Sequence, residues 1–518
     1  MKGKTNAAGR FIPEKINKKP VIPFQGVGKY IPAYRKASPP VVSCSNYPLD
    51  GNKVVPSLRE ALQRAGIRNG MTISTHHHFR DGDRVSNRLF DTIAEMGIKN
   101  IRWYPSASFP CQASIIKHLD AGVVHHIEGS MNGPLGDYCS RGKMKGQGVL
   151  RSHGCRYRAV QDNEVHIDIA VIAAPTSDPF GNANGLTGKS ACGLLGFALA
   201  DSQYADKVII VTDNLIPFPC IPWQIHGNHV DYVVTMDDIG DPSKIISGTT
   251  QITRSPARLL IAEYIARFIK EAGILKDGFS FQAGAGGTAL AFVMYLKKFM
   301  KEANVKARFV RGGSTKYLVE LLEEGLTDYI LDGQTFDLDG VRSMRENPNH
   351  VNTSPFTSYN YHGKGHFASM LDVVVLGATE IDINFNANVV THSDGMLLHG
   401  IGGWQDCLFS RCTILGIPSF RDRIPVIVDN VTTLCGPGEL IDVVITEKGI
   451  AINPRRKDLL KALKGSSLPI RQIEGIKKEV EQICGGAPSP PKVDKKHVVA
   501  AIQWVDGTII DVVYKVLN

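Results

Sequence analysis

The chain has 518 residues, of which 43% are hydrophobic and 21% are charged, and its formal net charge is +9. This length exceeds what one hydrophobic core usually supports, so we expect two domains. No apolar stretch reaches the length of a membrane span, and the basic N-terminus lacks the apolar core of a signal peptide. These features argue against a membrane protein and against secretion.

The cysteine pattern argues against a zinc site and against a disulfide-bonded protein. The ten cysteines are scattered singly and form no Cys-x-x-Cys pair, so neither a zinc site nor a disulfide framework is predicted. A reducing cytoplasm is the compartment that fits this pattern. We predict no metal site.

Most of the net positive charge lies at the start of the chain. Residues 1–40 contain nine Lys or Arg residues and one acidic residue, a balance of +8, and we treat residues 1–50 as a basic N-terminal arm. The arm is rich in proline and poor in apolar runs, which predicts little structure of its own. Nucleic-acid binding is disfavoured because no aromatic and basic platform follows. Docking onto acidic partner subunits, or simple solvation, is favoured.

The remaining chain alternates between short apolar runs and amphipathic segments, which predicts an α/β protein with mainly parallel sheets. We assign one domain to residues 51–250 and a second to residues 251–518. Within them, the pattern predicts helices at 57–66, near 85–97 and at 256–273, strands at 71–75, 99–104 and 278–283, and a β-hairpin at 498–514 that turns at Asp506-Gly507.

The second domain repeats the first. Residues 167–184 match residues 371–388 without a gap, including two Asp, two Asn and the Ala between the Asn residues. Further matched segments follow in the same order at offsets between 203 and 217, and one of them pairs Ile209–Val211 with Val426–Val428. Chance similarity among buried strands would not preserve the order, so we infer a domain duplication. The active site of a duplicated α/β module is expected between the copies, where equivalent loops face each other.

Three glycine-rich turns follow predicted strands of the second copy. Glycine lets the backbone approach a ligand closely, and the N-terminus of a helix favours negative charge. Such turns suit a phosphate or a thioester oxygen that becomes an oxyanion, although a single turn of this kind is weak evidence. The candidate residues for this pocket are Gly284, Gly286, Gly287, Gly312, Gly313, Ser314, Gly402 and Gly403.

At the position of the first glycine turn, the first copy instead has the sequence His76-His77-His78-Phe79-Arg80. This loop could hold zinc, could contain surface or capping histidines, or could form a cationic loop that binds a carboxylate substrate, and the last reading is favoured. The paired asparagines of the repeat could position substrate carboxylates or could cap turns. The candidate substrate-binding residues are His76, His77, Arg80, Asn182, Asn184, Asn386 and Asn388.

Several blocks of this sequence resemble the citrate lyase alpha subunit family, and the resemblance extends from about residue 50 to the C-terminus. The blocks are Asn69–Thr72, His76-His77, Phe79-Arg80, Asp178–Gly185, Phe281–Gly287, Asn347–His350 and Arg423–Pro425.

The resemblance implies two similar domains of the CoA-transferase fold in an oligomeric complex. It also implies an exchange in which an acetyl thioester of an acyl carrier and citrate give citryl-carrier and acetate. The implied partners are a beta subunit that cleaves the citryl thioester and a gamma subunit that is the acyl carrier. No covalently bound cofactor is implied, because the phosphoribosyl-dephospho-CoA arm of the carrier, or acetyl-CoA, acts as a substrate.

One departure from better-known CoA-transferases bears on the mechanism. Those enzymes resemble this second domain but carry a nucleophilic Glu at the end of the strand after the glycine loop. Here the strand ends in Arg311–Thr315, without a carboxylate. We therefore expect citrate itself to attack the thioester, through a mixed anhydride and without a glutamyl intermediate. Glu380 or Glu439 as a displaced nucleophile is the alternative.

Three other functions stay open at this stage. A citramalate lyase subunit would differ only in its substrate. A non-catalytic scaffold subunit would have no need for several backbone-donor pockets, and a stand-alone acetyl-CoA hydrolase is disfavoured without the Glu.

Overall fold

The computed structural model describes residues 1–32, 38–39, 48–246, 251–284 and 286–517, which fold as a mixed α/β protein. The β-strands are β1 Gly3–Thr5, β2 Phe11–Pro13, β3 Lys15–Ile16, β4 Lys19–Pro20, β5 Val54–Val55, β6 Thr72–Thr75, β7 Ile101–Pro105, β8 Ala107–Ser108, β9 Val124–Ile127, β10 Ser130–Met131, β11 Gly148–Leu150, β12 Ile169–Ala173, β13 Thr176–Ser177, β14 Ala183–Asn184, β15 Lys207–Thr212, β16 Tyr232–Thr235, β17 Ser280–Ala283, β18 Phe309–Ser314, β19 Ile330–Thr335, β20 His350–Asn352, β21 Val373–Leu376, β22 Glu380–Asp382, β23 Ala387–Asn388, β24 Thr413–Gly416, β25 Phe420–Arg421, β26 Ile424–Pro425, β27 Ile427–Val428, β28 Val443–Thr446, β29 Gly449–Ile452, β30 Val493–Gln503 and β31 Ile509–Val516.

The α-helices are α1 Leu58–Arg64, α2 Val85–Glu95, α3 Ile116–Asp120, α4 Pro134–Ser140, α5 His153–Gln161, α6 Ala198–Tyr204, α7 Pro256–Glu271, α8 Gly287–Ala303, α9 Lys316–Glu323, α10 Leu338–Glu346, α11 Pro355–Tyr359, α12 Trp404–Cys407, α13 Lys457–Ala462 and α14 Ile473–Cys484. Among the described residues, none of these helices has both the length and the apolar character needed to cross a bilayer.

Two large sheets organise the chain. The first contains seven parallel strands in the order β5-β16-β15-β12-β6-β7-β9, and the second contains eight in the order β20-β19-β18-β17-β21-β24-β28-β29. All neighbouring strands of the second sheet are parallel except β28 and β29. The central strands are continuous apolar runs that are buried on both faces, as in β12, which is the usual pattern of parallel sheets covered by helices. The predicted fold class is confirmed.

The duplication is visible strand by strand. Strand β6 has β7 and β12 as neighbours, and β17 has β18 and β21 as its neighbours at the matching positions. Two aspartates at offset 204 make the same contact in each copy. Asp168 accepts a hydrogen bond from the backbone N–H of Thr72 at 2.7 Å, and Asp372 accepts one from Ser280 at 2.9 Å. The repeated residues therefore hold β6 and β17, the equivalent strands of the two sheets, against β12 and β21.

One matched pair of the sequence comparison is wrong. Ile209–Val211 lies in β15 of the first sheet, whereas the equivalent strand of the second sheet is β24. Val426–Val428 instead includes β27, which pairs with β22 outside the large sheet. Apolar β-branched runs in the two places look alike, so composition alone aligned a core strand with a peripheral one.

The expectation of an unstructured arm is wrong for the described residues 1–32. Strands β1 and β2 pair with each other, Ile12 and Ile16 are buried, and the backbone N–H of Phe24 donates to Ile509 at 2.9 Å. The arm lacks a core of its own but packs on the C-terminal hairpin, which supplies the apolar surface. Sequence periodicity within the arm could not reveal that distant partner.

The C-terminal hairpin of β30 and β31 connects both halves of the molecule. Strand β30 pairs in parallel with β11, which belongs to the first half of the chain. Asp511 on β31 accepts a hydrogen bond from the backbone N–H of Leu434 in the second half at 2.7 Å. The predicted hairpin is confirmed, and it holds the two copies together.

Candidate active site

A cavity of about 830 Å³ lies between the two copies, at the carboxyl ends of strands from both sheets. This is where ligands usually bind in open α/β sheets. Within the part of the chain that the structure describes, the cavity lining includes Arg80, Arg258 and Arg421 but no aspartate or glutamate. The electrostatics of the cavity therefore favour an anionic ligand.

The copies touch each other directly at the cavity wall. His77 of the first copy lies with Nε2 3.2 Å from Oε1 of Gln334 of the second copy. The backbone N–H of His153 donates to the carbonyl oxygen of Gly402 at 2.8 Å. Because these contacts hold strand-end loops from both sheets against each other, the wall is built jointly by the two copies.

His77 lines the cavity as a buried, neutral imidazole. Its Nδ1 is 2.6 Å from Oγ of Ser106. Burial lowers the pKa of His77 well below its ordinary value, and the nearby His153 lowers it further. The sequence readings of a surface histidine or a cationic one are wrong here, because desolvation disfavours the charged form.

The neighbouring histidines do not line the cavity. Nε2 of His76 is 2.8 Å from Asp201, which also forms a buried ion pair with Arg156 at 2.6 Å. Nε2 of His78 is 2.7 Å from the carbonyl oxygen of Ala173, and burial lowers the pKa of His78 to about 3. These two side chains hold the loop in place behind the cavity.

Arg80 contributes the cation of this loop. Its guanidinium carbon lies 5.1 Å from the ring centre of Phe109 in the first copy and 4.6 Å from that of Phe336 in the second. Burial lowers the pKa of Arg80 to about 10, so the side chain stays charged at neutral pH. Contact with the two rings fixes the position of that charge at the junction of the copies.

The second copy contributes main-chain groups at the start of α8. Gly284, Gly286 and Gly287 line the cavity, and Gly286 is the N-cap of this 17-residue helix. A Cβ atom on Gly287 would lie 2.7 Å from the carbonyl oxygen of Gln251, whereas one on Gly286 would meet none of the described residues within 4 Å. The first N–H groups of a helix lack intrahelical partners and attract negative charge, so this end of α8 suits an anion.

In the other two glycine turns, some residues line the cavity and others pack behind its wall. Gly312, Gly402 and Gly403 line the cavity. Gly313 faces the ring of Phe336 so closely that a Cβ atom would lie 1.6 Å from it. Ser314 donates to Asp332 at 2.6 Å behind the wall.

The four candidate asparagines lie away from the cavity and hold turns. The amide nitrogen of Asn182 donates to Asp178 at 2.9 Å, and that of Asn386 donates to Asp382 at 3.0 Å. The amide nitrogen of Asn184 donates to the carbonyl oxygen of Pro222 at 2.9 Å. That of Asn388 donates to Glu380 at 3.0 Å. Their contacts are those of the turn-capping alternative, repeated in both copies.

The two alternative nucleophiles are also placed outside the cavity lining. Glu380 is buried and accepts a hydrogen bond from the backbone N–H of Thr432 at 2.7 Å, while Glu439 is exposed on a short 3₁₀ helix. The end of β18 carries Arg311, Gly312, Gly313 and Ser314. No described carboxylate thus occupies the position of a thioester-attacking side chain.

Sequence reasoning missed several polar groups around the cavity. Gln282, Tyr359 and His153 line it, and Arg311 lies behind Gln282. Gln282 precedes the first glycine turn by two residues, so its place at a strand end was a usable signal. Tyr359 and His153 lie on helices α11 and α5, and no motif in the sequence marks them.

Sequence reasoning also missed Asp406, which lies on α12 and contacts the N-terminus of α5. It accepts hydrogen bonds from Oγ of Ser152 at 2.8 Å and from the backbone N–H of Gly154 at 3.1 Å. Burial raises the pKa of Asp406 to about 7, although these donors favour the charged form. The contact joins the third glycine turn of the second copy to a helix of the first.

Comparison with known proteins places the chain in a family. The model of the family described as citrate lyase, alpha subunit, matches residues 51–516. The chain is 41% identical to the citrate lyase alpha chain of Haemophilus influenzae over 467 residues, which covers 90% of this chain and 93% of the relative. It is also 41% identical to the Escherichia coli citrate lyase alpha chain over 466 residues, or 90% of this chain and 91% of the relative.

Solved structures give the same result. A crystal structure from Streptococcus mutans, described as a putative alpha subunit of citrate lyase in complex with citrate, has a TM-score of 0.94 and 41% identity, and covers 99% of this chain and 100% of that chain. A Pseudomonas malonate decarboxylase hetero-tetramer in complex with malonate contains a chain with a TM-score of 0.61 and 16% identity. That match covers 85% of this chain and 94% of the other, and it shows a shared fold.

Proposed function

Because the chain belongs to the citrate lyase alpha subunit family, whose members are enzymes of the CoA-transferase type, we propose that it exchanges acetate for citrate on an acyl-carrier thioester in the cavity between its two copies. Acetyl-carrier and citrate would give citryl-carrier and acetate. The observation that carries this proposal is the joint cavity, with a cation from one copy and helix N-terminal backbone groups from the other.

Citrate fits the first-copy side of the cavity. Citrate is a tricarboxylate, and a planar guanidinium can bind a carboxylate through two parallel hydrogen bonds. Arg80 is held between aromatic rings at this side, next to the neutral imidazole of His77, which can donate or accept. We propose that Arg80 and His77 bind citrate carboxylates.

The thioester fits the second-copy side. The carrier arm is polyanionic, and Arg258 and Arg421 line the cavity near the start of α8. Burial lowers the pKa of Arg421, and the proximity of Arg258 lowers it further, so the two guanidinium groups lie close enough to repel each other. An anionic arm between them would relieve that repulsion.

We propose that the reaction proceeds without a covalent enzyme intermediate. A citrate carboxylate attacks the acetyl thioester, the thiolate leaves, and the resulting mixed anhydride is attacked by the same thiolate at the citryl carbonyl, which releases acetate. Support comes from the cavity lining, in which no described residue is an aspartate or glutamate. Stabilising the oxyanion would then be the main task of the protein, and one backbone donor contributes about 3–4 kcal/mol.

The proposed partners are a beta subunit that cleaves the citryl thioester and a gamma subunit that carries the thioester arm, within a multisubunit complex. We propose that the basic arm docks onto an acidic surface of a partner subunit. We propose a cytoplasmic location, which the nine unpaired cysteines among the described residues support.

The activity assay uses the isolated chain with acetyl-CoA in place of the carrier. We expect transfer to citrate, measured as citryl-CoA by mass spectrometry, with citramalate and succinate as parallel substrates. A higher kcat/KM with citramalate than with citrate would contradict the proposed substrate. No transfer to any acid would contradict the proposed activity.

The mechanism has its own test. The chain is incubated with acetyl-CoA and then with borohydride, which reduces an enzyme-bound glutamyl thioester to an alcohol. Peptide mass spectrometry should find every Asp and Glu residue unmodified. A reduced Glu380 or Glu439, or any other reduced carboxylate, would replace the direct attack by a covalent pathway.

A further inference from the structure

Arg311 is a buried cation without a carboxylate partner. Its side chain lies in β18, is 0% exposed, and forms no ion pair with any described residue. Its Nη1 donates to Oε1 of Gln282 at 2.7 Å and to Oη of Tyr359 at 2.6 Å, while Nε and Nη2 have no hydrogen-bond partner among the described residues. A buried charge is costly unless it is paired or used, so this guanidinium calls for a functional explanation.

The contact with Arg311 fixes the direction of the Tyr359 hydroxyl. A guanidinium has donors and no acceptor, so the Tyr359 oxygen must accept from Nη1 and its own hydrogen must point elsewhere. The thiol of Cys407, with Sγ 3.8 Å from Oη, also donates weakly to the same oxygen. Among the described residues, no oxygen or nitrogen accepts a hydrogen bond from the Tyr359 hydroxyl, and the Cys407 sulfur, at 3.8 Å, is a weak acceptor.

The free donor lies at the cavity wall. Tyr359 and Gly403 both line the cavity, and a Cβ atom on Gly403 would lie 2.8 Å from the Tyr359 hydroxyl oxygen. Glycine at that position leaves the space beside the hydroxyl open. Burial raises the pKa of Tyr359 far above its ordinary value, so the hydroxyl keeps its proton throughout the neutral range.

We propose that Tyr359 is a catalytic residue that donates a hydrogen bond to the thioester oxygen as it becomes an oxyanion, and that Arg311 is a positioning residue behind it. The inference rests on the proposed thioester exchange. The citrate carboxylate oxygen bonds to the thioester carbon, the C=O electron pair moves to the oxygen, and Tyr359 stabilises that charge without transferring its proton. The pair then reforms the carbonyl, the C–S bond breaks, and the thiolate leaves.

The hydrogen bond from Arg311 strengthens this donor. A guanidinium that donates to a phenol oxygen withdraws electron density and makes the O–H a better donor, as in other hydrogen-bond chains. It also orients the ring, since the guanidinium carbon lies 4.5 Å from the Tyr359 ring centre. The donor is therefore in place before the reaction begins, which is what electrostatic stabilisation of a transition state requires.

The test is the Tyr359→Phe variant in the acetyl-CoA and citrate assay. The ring and its packing remain and one O–H is lost, so we expect kcat to fall about 100-fold while KM for both substrates changes less than about threefold. Tyr138→Phe is the control, because Tyr138 is also buried and donates to Asp120 at 2.6 Å but does not line the cavity. Its kcat should stay unchanged.

A kcat within about threefold of the wild type in Tyr359→Phe would overturn the inference, and so would a raised KM with unchanged kcat, which indicates ground-state binding alone. Either result leaves the proposed transfer intact if the wild type is active. An inactive wild type removes both proposals. As a second measurement, Arg311→Lys combined with Tyr359→Phe should lower kcat hardly more than Tyr359→Phe alone, because the cation acts through the hydroxyl. If the two substitutions lowered kcat independently, so that their fold-changes multiplied in the double variant, Arg311 would not act through Tyr359.

Discussion

The two copies have the same strand order but supply different groups to the cavity between them. After β6, the first copy places His77 and Arg80 at the wall, and after the equivalent β17 the second copy places Gly284, Gly286 and Gly287 there. Side chains with fixed charge select an anionic substrate, whereas glycine-rich backbone stabilises charge that develops on a bound group. We propose that duplication followed by divergence of one loop separated recognition of the substrate from stabilisation of the transition state.

A second difference lies away from the cavity. In the first copy, Phe218, Ile221 and Trp223 lie on an exposed loop, with 64%, 64% and 46% of their surfaces accessible. The equivalent loop of the second copy contains Val431 and Leu434, which are each 2% exposed beneath the C-terminal hairpin and the N-terminal arm. The added chain ends thus cover an apolar surface in one copy that stays open in the other.

The largest expected effect comes from filling the glycine side of the cavity. Gly286→Val adds a side chain where no described residue lies within 4 Å, so we expect folding to be unaffected while the thioester loses its place beside the helix N-terminus. We expect kcat to fall by about 10²–10³-fold, the effect of losing one oxyanion donor. Gly365→Val is the matched control, since Gly365 also has open space but does not line the cavity. Full activity of Gly286→Val would contradict the division of labour between copies.

One conservative change in each copy tests whether the first copy binds citrate and the second copy binds the thioester. Arg80→Lys should raise KM for citrate about 10- to 100-fold with little change for acetyl-CoA, because a lysine loses the bidentate contact. Arg421→Lys should raise KM for acetyl-CoA instead. Steady-state kinetics with each substrate varied in turn measure both constants. Equal effects of both variants on both substrates would show that the copies share one binding task.

A pH effect is expected where Asp406 of the second copy meets α5 of the first. The folded pKa of about 7 lies above the ordinary value of 3.8, so the folded state binds more protons between these pH values and stability falls as pH rises from about 4 to 7. In Asp406→Asn, the amide can still accept from Gly154 and donate to Ser152, so this loss should disappear. We expect the variant to gain on the order of 2 kcal/mol relative to the wild type between pH 5 and pH 8.

Denaturant unfolding at several pH values measures this difference. The predicted sign is specific, because a carboxylate whose pKa is lowered by an ion pair would gain stability below about pH 4 and would leave stability unchanged between pH 4 and pH 7. Parallel stability curves for the two proteins would show that Asp406 does not titrate in this window.

The smallest predicted effect concerns the turn of the C-terminal hairpin. Gly507 has a φ of +96°, and an added Cβ atom would lie 2.8 Å from the guanidinium carbon of Arg158 in the first copy. Gly507→Ala should lower the free energy of unfolding by about 1–3 kcal/mol. Gly485→Ala has a similar φ of +89° but open space, so it reports the backbone cost alone. The excess loss in Gly507→Ala, measured by denaturant unfolding, isolates the contact between the copies.

Sequence patterns predicted the fold well because its signals are local. The strand runs around β6 and β17, helix α7 and the hairpin turn follow from periodicity and turn residues. The repeated Asp168 and Asp372 also marked the duplication correctly. Where signals were compositional, as for Val426–Val428, a peripheral strand was aligned with a core strand.

The candidate site was predicted less completely because it is assembled from distant segments. His77, Arg80 and the glycine turns carry motif signals, whereas Tyr359 reaches the cavity from helix α11 of the second copy. Asp406, on helix α12, contacts the start of α5 instead. The protonation state of His77 depends on burial, which no spacing rule encodes. The asparagines of the repeat are identical in the two copies because the same turn in each copy is held by their hydrogen bonds.

The hydrogen bonds between the two chain ends constrain the order of folding during translation. The side-chain amide of Asn6 donates to the carbonyl oxygen of Ile510, 504 residues later. The segment around Asn6 therefore leaves the ribosome long before the hairpin that forms its docking surface is synthesised. Contacts of such sequence separation form late, so residues 1–32 should become protease-resistant only after strands β30 and β31 have been synthesised.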